Sequence, residues 1–290
     1  EKFINIKKYI TKNDLLILNN TSVISAKINI KYEKKNIVIL IEKKINKNEE
    51  ICLSKKTLNV KNKDLKLNIE KLKNRKYKIT TKNITIKNLI KNHGEIPLPP
   101  YIKRNNESLD NKYYQTVYNS KKGSIAAPTA GLHFNKNLIK ELKKNGIKIG
   151  YITLHINSGT FKPINSKNIN KHKMHLEYIN ISKSLCNKIK ITKKKGGKIF
   201  ACGTTTVRAL ETANKNGKIF PFKGETNIFI KPNFKFKITD AIITNFHLPK
   251  STLIVLVSAF CNINTIKKVY EEAKKKNYRF YTYGDAMLIY

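Results

Sequence analysis

Six short stretches hold the side chains able to move protons or grip anions. Residues 123–134, GSIAAPTAGLHF, combine small residues with a hydroxyl at Thr129 and an imidazole at His133. Small residues let a ligand approach the backbone, and neutral histidine titrates near pH 7. The plainer reading is a tight turn into a helix at Asn135, with His133 as packing; the two weigh about evenly. Residues 154–161, LHINSGTF, place His155, Ser158 and Thr160 at the end of an expected strand. Strand ends are where α/β sheets bind ligands. In 174–178, MHLEY, His175 and Glu177 alternate, so an extended chain points both to one face as an acid–base pair or a surface ion pair. His172 lies in a lysine-rich stretch and reads as solvated.

Residues 200–211, FACGTTTVRALE, run from a strand through a Gly-Thr turn into a helix. The helix amides, with Thr204 and Thr205, suit a carboxylate or phosphate, and Arg208 lies one turn in to clamp it. A helix cap is the bland alternative. Neither the P-loop nor the dinucleotide glycine spacing is present. In 240–252, DAIITNFHLPKST, Asn245 and His247 fall at a strand exit. In 278–287, YRFYTYGDAM, the aromatics suit base stacking or, more commonly, core packing, and Asp285 supplies a carboxylate. No metal-ligand cluster stands among these stretches.

These groups need elements to position them. Residues 26–92 alternate β-branched and polar residues, as at Ile28 and Ile30, run apolar from Ile37 to Ile41, and show Ile79, Ile84 and Ile86 further on. That pattern predicts half-buried strands with no helix among them. Pro97, Pro99 and Pro100 then mark a boundary. Beyond it strands and helices alternate: a helix capped by Asn135, a strand 151–156, a helix capped by Ser182, a strand 198–202 and a helix of about 206–216. Strands at 241–244 and 253–259 and a helix at 266–276 complete the series. The expected fold is a large α/β domain, residues 1–30 and 98–290, with a small all-β, barrel-like domain inserted at 31–97.

The chain has 290 residues, of which 59 are basic and 19 acidic, for a net charge of +40. A positive surface favours polyanions. Lys, Asn and Ile saturate the sequence, so codon drift toward A and T accounts for most of the size of that charge. Four cysteines, Cys52, Cys186, Cys202 and Cys261, share no metal spacing and read as reduced thiols. No apolar run approaches a membrane span, and no leader pattern opens the chain. A cytoplasmic location and no membrane partner are expected.

Eight ordered segments together resemble one family: LPPYIKR (98–104), YQTVY (114–118), GSIAAPTAGLHF, TLH with INSGTF (153–161), MHLEY, GTTTVRALE (203–211), DAIITNFHLPKSTLIVLVSAF (240–260) and YRFYTYGDAML (278–288). They look like the S-adenosylmethionine:tRNA ribosyltransferase-isomerases of queuosine biosynthesis, from about Asp14 to the end. Residues 19–27, NNTSVISAK, resemble the family's NNTRVIPAR, with Ser22, Ser25 and Lys27 as departures, and Asn157 stands where the family usually has Gly. The family's opening segment is expected to lie outside these residues, since the chain begins at Glu1.

The resemblance implies transfer and isomerisation of the ribosyl part of S-adenosylmethionine onto 7-aminomethyl-7-deazaguanine at the tRNA wobble position, giving epoxyqueuosine-tRNA, adenine and methionine. S-adenosylmethionine is then a co-substrate, with no metal or prosthetic group, and a monomer is expected. The chemistry needs a base beside the sulfonium and an acid at adenine. His133, His155, His175, Glu177, His247 and Asp285 are the catalytic candidates. Thr204, Thr205 and Arg208 are candidates for the methionine carboxylate; Thr129, Thr160 and Asn245 also stand as substrate contacts, and Lys103 and Arg104 as phosphate contacts. Two rivals remain: a noncatalytic tRNA-binding relative, and an RNA methyltransferase, for which the glycine-rich loop is missing.

Overall fold

Leu15–Asn19 (β1) is buried along its whole length. A strand buried on both faces needs cover on both sides, the condition of a central strand in a parallel sheet. Lys148–Leu154 (β2) and Ile199–Cys202 (β4) flank it in parallel, and Ala241–Asn245 (β6) lies parallel beyond β4. Glu177–Ile181 (β3) runs antiparallel to β2, Phe222–Thr226 (β5) antiparallel to β3, and Ala286–Ile289 (β7) antiparallel to β6. The sheet order is β5-β3-β2-β1-β4-β6-β7. The large domain is therefore α/β, as expected.

Helices Lys136–Lys144 (α1), Lys183–Lys194 (α2), Thr204–Thr212 (α3), Thr252–Cys261 (α4) and Ile263–Lys275 (α5) join these strands. Side chains alternate across the sheet, so two cores form. Leu15, Ile17, Ala201 and Ile242 pack with Leu185 and Ile189 of α2 and Val207 and Leu210 of α3. Leu16, Leu18, Phe200 and Ile243 pack with Leu138 and Leu142 of α1 and with Phe134. Truncating one such residue, as in Leu16→Ala, removes a fully buried side chain at a cost of about 2–5 kcal/mol.

The helix caps fall where the sequence placed two of them. The Asn135 side chain accepts from the Leu138 amide at 2.8 Å, and Ser182 accepts from the Leu185 amide at 3.2 Å. One expected strand is wrong: 253–259 lies inside α4. An apolar run of that length has no period to separate strand from buried helix. Ser251 decides it by accepting from the Ile254 amide. Helix α3 starts at Thr204, two residues earlier than expected, and α5 starts at Ile263, capped by Asn262.

This computed structural model describes residues 1–32, 35–44, 49–54, 60–62, 67–72, 76–82, 84–161, 163–164 and 168–290. The chain divides into two compact units, Glu1–Ser22 with Gln115–Tyr290, and Val23–Tyr114. The second is wider than the 31–97 expected, and parts of that span lie outside the described residues. Its strands Lys27–Tyr32, Lys35–Lys44, Glu49–Ser54, Leu67–Lys71 and Lys76–Thr81 pair antiparallel. Among the described residues the ladder has two ends, Val60–Asn62 and Gly94–Glu95. The unit is also not purely β. Ile86–His93 is a helix, capped by Thr85, that buries Ile86 and Leu89. Ile86, expected in a strand, belongs to it.

Candidate active site at the carboxyl ends of the parallel strands

All four parallel strands point their carboxyl ends to one edge of the sheet. Asn19 ends β1, His155 follows β2, Gly203 and Thr204 follow β4, and Asn245 ends β6. Strands β3 and β7 begin at that same edge: the His155 amide donates to the Tyr178 carbonyl at 2.9 Å, next to Glu177, and Asn245 pairs with Ala286, next to Asp285. From β1 the chain goes to β2 on one side and later to β4 on the other, so strand order reverses at β1. Ligands of open α/β sheets sit at such a switch point.

Asn19 spans that point. Its side chain is fully buried; Oδ1 accepts from the Leu154 amide at 3.0 Å, and Nδ2 donates to the Leu154 carbonyl at 3.0 Å and to Thr205 Oγ1 at 3.4 Å. It ties the exits of β1, β2 and β4 together. On one side, His155 stacks on Tyr178 with ring centres 5.5 Å apart. Its Nδ1 lies 2.7 Å from Thr21 Oγ1. Gly123 lies under the ring with φ +146°, and a Cβ there would come within 2.8 Å of Nε2. Burial lowers the His155 pKa, so the ring is neutral at pH 7.

Glu177 and Arg208 form an ion pair with 0 % and 5 % of their side chains exposed. The other carboxylate oxygen accepts from Thr160 Oγ1 at 2.9 Å and from the Asn157 amide at 3.3 Å. Arg208 Nε donates to the Ile228 carbonyl at 3.2 Å, while Nη2 is buried with no hydrogen-bond partner. Arg208 lines a small pocket with Thr160, Thr205, Met174 and Leu256. The paired roles expected for His175 and Glu177 thus separate: Glu177 neutralises Arg208, and the His175 ring packs on Gly159. Gly203, at φ +89°, turns β4 into α3 so that Thr204 and Thr205 open the helix, and both are buried.

At the β6 exit, His247 is 8 % exposed. Its Nε2 lies 2.8 Å from Thr244 Oγ1, and its amide donates to the Tyr270 hydroxyl at 2.7 Å. Burial pushes its pKa down to about 4. Asn245 is 1 % exposed and donates to the carbonyls of Tyr281 and Thr282 at 2.9 and 3.4 Å, which fixes the aromatic loop before β7. His133 ends the 3₁₀ turn Thr129–His133 and stacks on Phe3 at 4.9 Å. Burial lowers its pKa, against the opposing pull of Asn245 and Asp285. Asp285 pairs with Arg279 at 2.8 Å, and that bond lowers its pKa. Thr129 is half-buried in the same turn.

In the second unit Lys103 is exposed, while both prongs of the Arg104 guanidinium reach buried Asp110 at 2.7 Å. Among the described residues no three His, Cys, Asp or Glu converge as a metal site. Asn19, Thr21 and Gly123 were not singled out as site residues by sequence reasoning. The signal was there: Asn19, Asn20 and Thr21 follow the apolar run 15–18, the same strand-exit position that drew attention to His155.

A family model described as queuosine biosynthesis protein matches residues 1–289. The chain belongs to the queuosine biosynthesis protein family. It is 45% identical over 305 residues to the S-adenosylmethionine:tRNA ribosyltransferase-isomerase of Francisella tularensis subsp. novicida, which spans 100% of this chain and 88% of that protein. The protein of the same name from Francisella philomiragia is also 45% identical over the same shares. The crystal structure of S-adenosylmethionine tRNA ribosyltransferase from Thermotoga maritima superposes with a TM-score of 0.54 at 29% identity, covering 99% of this chain and 86% of that one. Family membership accounts for the order of the eight segments.

Proposed function

We propose that this enzyme transfers and isomerises the ribosyl part of S-adenosylmethionine onto 7-aminomethyl-7-deazaguanine in tRNA. The products are epoxyqueuosine-tRNA, adenine and methionine. Whole-length identity of 45% to proteins named for this activity supports the reading. The observation that carries it in the fold is the Asn19 side chain, which ties three strand exits at the switch point beside His155, Thr204 and Thr205. S-adenosylmethionine enters as co-substrate there, and the methionine carboxylate meets the amino end of α3. Arg208, held by Glu177, steadies that end rather than clamping the anion alone. His133 and Asp285 flank the β6 exit as the acid side, where adenine departs.

tRNA phosphates are drawn by the positive surface, and exposed Lys103 is a better phosphate contact than Arg104, whose fork Asp110 holds. Binding should therefore weaken steeply with salt. We place the monomeric enzyme in the cytoplasm; its four cysteines are all free thiols, as a reducing compartment requires. Among the described residues no single helix is long and apolar enough to cross a membrane.

Mass spectrometry of a reaction with S-adenosylmethionine and tRNA bearing the aminomethyl base tests the proposal. Adenine and methionine formed with epoxyqueuosine support it. S-adenosylhomocysteine with methylated tRNA overturns it for a methyltransferase, and tRNA binding with no turnover overturns it for a noncatalytic relative.

A further inference from the structure

We propose that His155 is the base that takes the proton beside the donor's sulfonium, and that Thr21 is the positioning residue that fixes its tautomer. The assignment rests on the ribosyl-transfer reading above. A hydroxyl has one proton to give and lone pairs to accept with. Thr21 Oγ1 has two neighbours: the Lys121 carbonyl at 3.4 Å, which only accepts, and His155 Nδ1 at 2.7 Å. We assign the hydroxyl proton to the carbonyl, so that the hydroxyl accepts from Nδ1–H. Nε2 then carries the lone pair in the ring plane, while Gly123 lies under the ring face, where a Cβ would clash with the imidazole.

Asn19 holds Thr21 in place by accepting from its amide at 3.2 Å, and Tyr178 supports the ring face. The charged groups on the elements packed against the ring are Glu177, tied to Arg208, and the exposed Lys121 and Lys122. In the step, the C–H bond beside the sulfonium breaks, the proton goes to Nε2, and the electron pair stays on carbon next to the positive sulfur. The imidazolium so formed keeps Nδ1–H on Thr21, so the hydroxyl serves both protonation states.

That geometry fixes the sign of a test. A bond accepted from Nδ1–H also stabilises the imidazolium, so losing it lowers the His155 pKa; a bond donated to Nδ1 stabilises only the neutral ring, so losing it raises the pKa. The experiment is histidine ¹⁵N resonance of wild type, Thr21→Val and Thr21→Ser, with His155→Gln to assign the signal, alongside the pH profile of kcat/KM for adenine release. The expected result is an Nδ1–H tautomer in wild type. In Thr21→Val both the His155 titration and the acid limb of kcat/KM move to lower pH, kcat falls about tenfold or more, and Thr21→Ser restores all three. An Nε2–H tautomer, or a limb that moves up or fails to follow His155, overturns the proposal. The resonance result needs no turnover. A wild-type chain that releases no adenine fails the ribosyl-transfer reading and the base role with it, while the tautomer assignment is judged by resonance alone.

Discussion

His155 and His247 leave the sheet at the exits of two parallel strands, and each sets a ring nitrogen against a threonine hydroxyl, 2.7 Å from Thr21 and 2.8 Å from Thr244. By residue type the two exits are nearly the same site. Their surroundings are not. His155 is half-buried with a glycine under its ring, whereas His247 is enclosed and its pKa falls to about 4. A base must meet its substrate and hold a proton near neutral pH. The His155 ring is the less buried of the two, whereas the His247 ring is enclosed against Thr244 and its backbone amide donates to the Tyr270 hydroxyl.

If burial decides the role, the most enclosed charges should matter most for stability. Glu177→Ala strands Arg208 as an unpaired buried cation and should cost about 3–5 kcal/mol in denaturant unfolding. A cost under about 1 kcal/mol would show that water reaches the pair and blur the contrast. The next effect belongs to His247. Its folded pKa of about 4 lies below the ordinary 6.5, so the unfolded chain binds the proton first as pH falls. The stability is fully present above about pH 6.5 and is lost progressively toward about pH 4, by up to about 3 kcal/mol. His247→Gln should flatten that part of the stability–pH curve; an unchanged slope would place the titration elsewhere.

At the other exit, Gly123→Ala drives a Cβ toward His155 Nε2 and strains a backbone at positive φ. It should cost about 1–2 kcal/mol of stability and lower adenine release about tenfold. A loss of stability with full activity would detach the glycine from the chemistry. The smallest effect is expected at Arg279, whose side chain is 74% exposed. Arg279→Ala should shift stability by less than about 1 kcal/mol. A larger shift would mean that its bond to Asp285 anchors the loop before β7.

The strand-exit edge was legible because a parallel strand buried on both faces reads as a continuous apolar run, so 15–18 and 241–243 announce where polar residues must surface. The partners were not legible. Thr21 and His155 are 134 residues apart, and Glu177 and Arg208 are 31 apart. Alternation in 174–178 put His175 and Glu177 on one face as a pair and could not see the arginine that claims Glu177. The run 253–259 misled because hydrophobicity without period fits strand and buried helix alike, and only Ser251 marked the helix start. In 26–92 repeated Lys, Asn and Ile hid the helix Ile86–His93, whose one signal is Thr85 accepting from the Asn88 amide.

The most direct test measures adenine release and unfolding side by side for His155→Gln and His247→Gln. The account predicts that His155→Gln loses about 10²-fold or more in kcat with an unchanged Tm, and that His247→Gln keeps its rate while its Tm shifts. Full activity in His155→Gln, or loss of catalysis confined to His247→Gln, would contradict it.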